Sequence, residues 1–180
     1  MTIYIALLQG VNIGKNKRIA MTDFKRIVTE LGGTNPITIA NSGNIIFSYD
    51  GSLSDEELRK SIEESVTAHV GIDIPTVVRT EAELLDVIAR NPYPDAAADT
   101  KTLHVDFLLT ETPDALDGID QGADALTQSG REIYLFAPNK LSGSTYDGKT
   151  LGKRLGTHHT SRNWNTILNL RDACVKVRQT

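Results

Sequence analysis

A short polar segment near the C-terminus has the residue types of an anion-binding site. Residues 160–166 read Thr-Ser-Arg-Asn-Trp-Asn-Thr, and the spacing predicts the first turn of a helix that begins near Ser161. The first N–H groups of a helix have no partner within the helix and lie at the positive end of its dipole, so helix starts favour anions. Arg162 adds a forked donor that is permanently charged. Arg162 and Asn163 are therefore candidate ligand-binding residues.

The same segment has a purely structural explanation. In that case Thr160 or Ser161 caps the helix, Trp164 anchors it in the core, and the asparagines hold neighbouring loops. The helix dipole destabilises an arginine in the first turn by about 0.3–1 kcal/mol. A helix start that already has a cap does not need such a cation for its stability. We therefore expect Trp164 to be a core residue and Arg162 to have a functional role.

Two segments rich in glycine and asparagine form the other part of the candidate site. Residues 9–15 read Gln-Gly-Val-Asn-Ile-Gly-Lys, and residues 41–44 read Asn-Ser-Gly-Asn. Both residue types let backbone N–H groups turn outward, where they bind anions. Ordinary turn formation is the alternative explanation for both segments. The candidate ligand-binding residues here are Asn12, Gly14, Lys15, Ser42 and Asn44.

The elements that must position these residues follow the order β-α-β-β-α-β in the first half of the chain. This order is ferredoxin-like. In that topology the third strand lies between the first and second strands, so the loop after the first strand and the hairpin at 41–44 lie at the same edge of the sheet. Hydrophobic periodicity and turn signals predict strands at 3–9, 36–40, 45–49 and 74–79, and helices at 22–31 and 54–71.

The second half has weaker signals. We expect an α+β fold with a ferredoxin-like subdomain at 1–79 and a smaller, degenerate α/β subdomain at 80–180 packed on it as one cooperative unit. A capping box at Thr80 and Glu83 predicts a third helix, which Asn91-Pro92 ends. Further predictions are strands at 103–109 and 132–136, a short helix from Thr112-Pro113, a helical turn near 150–155 and the final helix.

Composition narrows the function classes. The chain has 180 residues and a net charge of −4, which argues against a general nucleic-acid coat protein. Its single cysteine, Cys174, excludes an intramolecular disulfide and a cysteine metal cluster. The first apolar run is too short for a signal peptide or a membrane span, so we expect a cytoplasmic protein without a membrane partner. His158 and His159 have no cysteine or carboxylate close by along the chain, so no metal site is predicted.

Several of these motifs occur together in one known family. Residues 7–14, the hairpin at 41–44, Asn91-Pro92 and the segment from Thr160 to Thr166 have the order and spacing that resemble the bacterial family of unknown function DUF1697. The resemblance implies a two-part α+β structure and supplies no activity. It also implies two departures: the family usually has arginine in place of Gln9 and glycine in place of Lys15. One interpretation is that Lys15 supplies the positive charge that the arginine supplies in other members. The other is that the site of this chain differs from theirs.

We interpret the chain as a protein that binds a phosphorylated small molecule or a nucleotide. The site would combine the first loop, the hairpin and the Arg162 helix start. Two basic segments, 15–26 and 140–162, leave a nucleic-acid-binding module as one alternative. A structural or interaction domain without a ligand is the other. No enzyme signature and no nucleophile–base pair is evident, so we assign no catalytic residue, cofactor or reaction.

Overall fold

The computed structural model describes residues 1–113, 116–144, 152, 153 and 155–180, and it confirms an α+β fold. The described residues include eight strands, together with four helices of nine residues or more. These elements are β1 (Thr2–Leu8), α1 (Met21–Glu30), β2 (Thr34–Thr38), β3 (Asn44–Tyr49), α2 (Asp55–Val70), β4 (Thr76–Thr80), α3 (Glu81–Ala89), β5 (Leu103–Leu108), β6 (Ala125–Ser129), β7 (Glu132–Phe136), β8 (His159–Asn163) and α4 (Trp164–Arg178).

The chain divides into two compact units. The first unit comprises Met1–Leu85 and Asn169–Thr180, and the second comprises Asp86–Leu168. The division proposed from the sequence, at residue 79, instead assigns residues 80–85 and 169–180 to the second half. None of the described helices is both long enough and apolar enough to cross a membrane.

The first unit is built on an antiparallel sheet with the strand order β2-β3-β1-β4. β3 therefore lies between β1 and β2, as the sequence predicts, and the loop after β1 reaches the same edge as the β2–β3 hairpin. β4 is an edge strand, which suits Pro75 immediately before it, because proline cannot donate to a strand ladder.

One face of this sheet packs against α1 and α2. Local signals start and end α2: Ser54 and Glu57 form a capping box, and Gly71 takes the left-handed conformation at the C-cap. Each of the two helices presents an apolar stripe at helical spacing to the sheet. The principal core residues are Tyr4, Ala6, Leu8, Phe24, Ile27, Val28, Ile45, Phe47, Tyr49, Leu58, Ile62 and Val66.

The second unit repeats the strand order of the first. Its antiparallel sheet has the order β6-β7-β5-β8, so its third strand again lies between the first two and its fourth strand pairs with the other side of the first. A small apolar cluster covers one face of the sheet. Its members are Leu108, Leu126, Ile133, Leu135, Ala137 and Leu155.

The last strands of the two sheets carry corresponding arginines. Arg79 in β4 and Arg162 in β8 are both buried, and each is the next-to-last residue of its strand. Nη1 of Arg79 donates to the carbonyl oxygen of the preceding residue at 3.0 Å, and Nη1 of Arg162 does the same at 2.7 Å. In each unit the next residue, Thr80 or Asn163, caps the following helix with its side chain. This correspondence supports the interpretation of the second half as a degenerate repeat of the first.

Two strands of the second unit were not predicted. β6 occupies part of the acidic stretch between the predicted strands, and β8 occupies residues expected to begin the final helix. The predicted start near Ser161 is wrong, because residues 159–163 pair with β5 and α4 begins at Trp164. The short helix predicted from Thr112-Pro113 involves residues 114 and 115, and the helical turn predicted near 150–155 involves residues 150, 151 and 154, all of which lie outside the described residues. Residues 152, 153 and 155 are described, and they are helical as that second prediction expects.

Cys174 provides a direct test of the packing around α4. Its side chain is fully buried, and burial raises the pKa of the thiol to about 12, with a further contribution from the Glu81 carboxylate. Because the thiolate is the reactive form, we expect Cys174 to resist Ellman's reagent in neutral buffer and to react fully in denaturant. Stoichiometric labelling of the native protein would contradict this packing.

Candidate functional site

The predicted meeting of the first loop and the hairpin occurs, and Asn12 is the residue that joins them. Its side-chain Nδ2 donates to the carbonyl oxygens of Ile19 at 2.9 Å and of Asn41 at 3.0 Å. Its Oδ1 accepts a hydrogen bond from the Ile19 amide at 3.1 Å, and its own backbone amide donates to Lys17 O at 2.7 Å. The amide of Asn12 therefore holds the loop in shape and ties it to the hairpin.

The hairpin itself packs tightly against the base of the loop. Gly43 has φ 72°, and a Cβ atom there would lie 2.5 Å from Cγ2 of Val11 and 2.8 Å from Cβ of Leu8. Asn44 is fully buried, and its Nδ2 donates to Ile39 O at 3.0 Å and to Ser42 Oγ at 2.9 Å. The amide of Asn44 thus shapes the hairpin, while Ser42 stays exposed on its surface.

The exposed part of the loop has an alternating backbone. Gly10, Asn12 and Gly14 have φ values of 66°, 58° and 74°, and the two residues between them do not have positive φ. Alternation of left-handed and right-handed residues turns successive N–H groups to one side and forms a concave anion site. A Cβ at Gly14 would meet nothing within 4 Å, and Lys15 beside it is exposed. Gly14 and Lys15 are therefore accessible to a ligand.

Arg162 lies in a different setting from the one predicted. It belongs to β8, not to a helical turn, and it is buried in the second unit. Nη1 donates to Thr160 Oγ1 at 2.6 Å and to Ser161 O at 2.7 Å. Burial lowers the pKa of the guanidinium to about 10, and the nearby Asp106 carboxylate opposes that shift. These two contacts hold the guanidinium of Arg162 against its own strand.

Asn163, and not Thr160 or Ser161, caps the last helix. Its Oδ1 accepts hydrogen bonds from the Thr166 amide at 2.8 Å and from Thr166 Oγ1 at 2.9 Å. Trp164 is buried, as expected for a core residue. The candidate residues therefore divide between the units: the loop and hairpin residues belong to the first unit, whereas Arg162 and Asn163 belong to the second.

An acid–histidine pair in the second unit was missed. Nδ1 of His159 in β8 lies 3.5 Å from Oδ1 of Asp106 in β5, and both side chains are largely buried. These residues are distant in sequence, and only the register of an unrecognised strand brings them together. Recognising residues 159–163 as a strand that pairs with β5 would have placed His159 near Asp106. Among the described residues, no group of three or more His, Cys, Asp or Glu side chains is suitable for a metal ion.

The aromatic residues of the first sheet do not form an RNA-stacking platform. Tyr4, Phe47 and Tyr49 are all buried in the core beneath α1 and α2, and the rings of Tyr4 and Phe47 stack at 6.0 Å between centroids. RNA-recognition sheets instead present such rings to unstacked bases. This observation weakens the sheet-based version of the nucleic-acid alternative.

The chain belongs to the family described as "Protein of unknown function (DUF1697)", whose pattern matches residues 1–134. The resemblance seen in its motifs is thereby confirmed. In structure the chain is similar to a conserved bacterial protein, SP0830, from Streptococcus pneumoniae, with a TM-score of 0.72 and 24% sequence identity over 97% of this chain and 98% of that chain. At this identity the likeness shows the fold alone. No curated protein matches the sequence.

A matched pair of glycine variants tests the loop–hairpin contact. Both Gly14→Ala and Gly43→Ala place a side chain at a positive φ, which costs about 1–2 kcal/mol. Only Gly43→Ala also drives a Cβ into Val11 and Leu8, which adds about 1–3 kcal/mol for overpacking. We expect urea unfolding to show a clearly larger loss of stability for Gly43→Ala, and equal losses would contradict the contact.

A second pair of variants tests the structural role of Arg162. Arg162→Ala removes a buried guanidinium that donates to Thr160 Oγ1 and Ser161 O and leaves these acceptors without that donor, so we expect the free energy of unfolding to fall by about 1–3 kcal/mol. Arg171→Ala, at a more exposed arginine of α4, should cost less than about 0.5 kcal/mol. Near-native stability of Arg162→Ala in thermal or urea unfolding would instead indicate a residue kept for function.

Proposed function

We propose that this protein binds a phosphorylated small molecule or a nucleotide at the loop that follows β1. The observation that carries the proposal is the alternation in the sign of φ from Gly10 to Gly14 in an exposed loop, a backbone pattern that is typical of anion-binding concavities. The Gly-rich loop is held by protein contacts at its base, so little ordering is needed when a ligand binds. Lys15 follows directly and supplies a positive charge.

The charges near the loop favour an anionic ligand. Lys15, Lys17 and Arg18 lie within four consecutive positions with no acidic residue between them. Nζ of Lys17 donates to Asp73 O at 3.1 Å, so this lysine is committed to the loop's own attachment. Lys15 and Arg18 are exposed and are the cations that a phosphate group would meet.

The hairpin completes the proposed site. Ser42 is exposed at its surface, beside the Asn41 carbonyl group that Asn12 contacts. Asn12 and Asn44 act through the backbone that they hold, because their amide groups are bonded within the loop and hairpin. Arg162 and Asn163 are bonded within the second unit, so the loop residues alone support the proposal.

Lys15→Ala is the variant that tests this proposal. We expect inorganic phosphate, ribose 5-phosphate and AMP to raise the melting temperature of the native protein, since a ligand at 100 times its Kd stabilises by about 2.7 kcal/mol. Lys15→Ala should abolish most of the shift, because it removes the exposed charge, and adenosine should give none. The measurement is a thermal-shift titration for each compound.

Lys101→Ala, at an exposed lysine of the second unit, is the matched control and should keep the full response. A short single-stranded RNA that binds more tightly than AMP, with a steep salt dependence, would favour the nucleic-acid alternative. No response to any phosphate compound at saturating concentration would refute the proposal.

A further inference from the structure

A cavity of about 570 Å³ lies at the other end of the first sheet, away from the loop that follows β1. Its size falls in the range of small-molecule sites. The starts of β1 and α3, the ends of β3 and β4, and the C-terminal residues of the first unit form its walls. Its apolar lining includes Ile3, Ala82 and Val177. The cavity therefore offers an apolar surface that an apolar group can contact.

Ser48, a largely buried residue, contributes a hydroxyl group to the wall of the cavity. Ser48 is 3% exposed and lies opposite Ile3 on the sheet face that does not contact α1 and α2. Its carbonyl oxygen accepts a hydrogen bond from Thr34, but within the described residues its side-chain hydroxyl makes none. The hydroxyl of Ser48 borders the open space of the cavity, where the acceptor of a bound ligand can take its hydrogen bond.

The first turn of α3 adds further donors. Thr80 and Glu83 form the predicted capping box: the Glu83 carboxylate accepts a hydrogen bond from the Thr80 amide at 2.7 Å, and the Glu83 amide donates to Thr80 Oγ1 at 3.2 Å. This box does not use the amides of Glu81 and Ala82, and both residues line the cavity. Free N–H groups at the positive end of a helix attract anions.

The side-chain charges at the cavity do not cancel that preference. Arg178 donates to Oε1 of Glu81, and this pairing raises the pKa of the guanidinium. Because Glu81 is neutralised by Arg178, the helix dipole and the Ser48 hydroxyl decide which head group is favoured. An ammonium group would oppose the dipole and would offer no acceptor to the amides of Glu81 and Ala82.

We infer that this cavity is a binding site for a small carboxylate that has an apolar chain. The carboxylate accepts hydrogen bonds from Ser48 and from the first turn of α3, and the chain contacts Ile3 and Val177. The inference is independent of the proposed phosphate site, because it uses none of the same residues.

Three probes with the same tail, octanoate, octanol and octylammonium, test the inference in titrations followed by amide NMR. We expect octanoate to shift the Ser48 and Ala82 amides saturably, with at least tenfold weaker binding for the other two probes. Ser48→Ala should weaken octanoate binding about tenfold, the change that corresponds to loss of a charge-assisted hydrogen bond. Ala82→Trp should block it, because the indole fills the cavity.

Ala68→Trp is the matched control, at an exposed position of α2 that is not part of the cavity wall, and it should bind octanoate normally. Equal binding of the three probes would overturn the inference, since it would indicate an apolar groove without head-group recognition. Shifts confined to the amides of residues 10–15, or none at all, would also overturn it. Loss of phosphate binding in Lys15→Ala leaves this outcome unaffected, so the two proposals fail separately.

Discussion

Both sheets depend on a central strand that forms hydrogen bonds along both of its edges. β1 pairs with β3 and β4, and β5 pairs with β7 and β8. In the first unit, this pairing brings the loop after β1 to the β2–β3 hairpin and places Ser48 opposite Ile3. In the second, it brings His159 beside Asp106. The polar groups of interest are therefore positioned by strand register and not by their neighbours along the chain.

The polar side chains differ in whether they form hydrogen bonds with the protein's own backbone or border a cavity. Asn12 and Asn44 have the residue types of ligand-binding side chains, yet their amides hold backbone groups of the loop and hairpin. Arg162 likewise bonds to its own strand. Ser48 has an unremarkable residue type but lines a cavity with an unused hydroxyl. Residue type alone thus selects turn-forming residues, whereas the hydrogen bonds of each polar group show which side chains are committed to holding the fold.

The first sheet was predictable because its signals are local. Capping residues, helical periodicity and glycines near the helix ends mark α1 and α2 within a few positions of the chain. β6 and β8 are edge strands that read Ala-Leu-Thr-Gln-Ser and His-Thr-Ser-Arg-Asn, with few β-branched or aromatic residues, and pairing with a central strand stabilises them. The Asp106–His159 pair and the cavity at Ser48 depend on such distant pairings. Neither could be predicted from a pattern along the sequence.

The first unit is discontinuous, since residues 169–180 belong to it together with residues 1–85. Domains generally fold as units, beginning with the N-terminal part during synthesis. Here the N-terminal sheet can form early on the ribosome, but its last helical segment is still untranslated at that stage. The wall of the cavity that carries Val177 is added only after residues 86–168 of the second unit have been synthesised. The unit that begins to fold first therefore cannot be completed until the second unit has been synthesised.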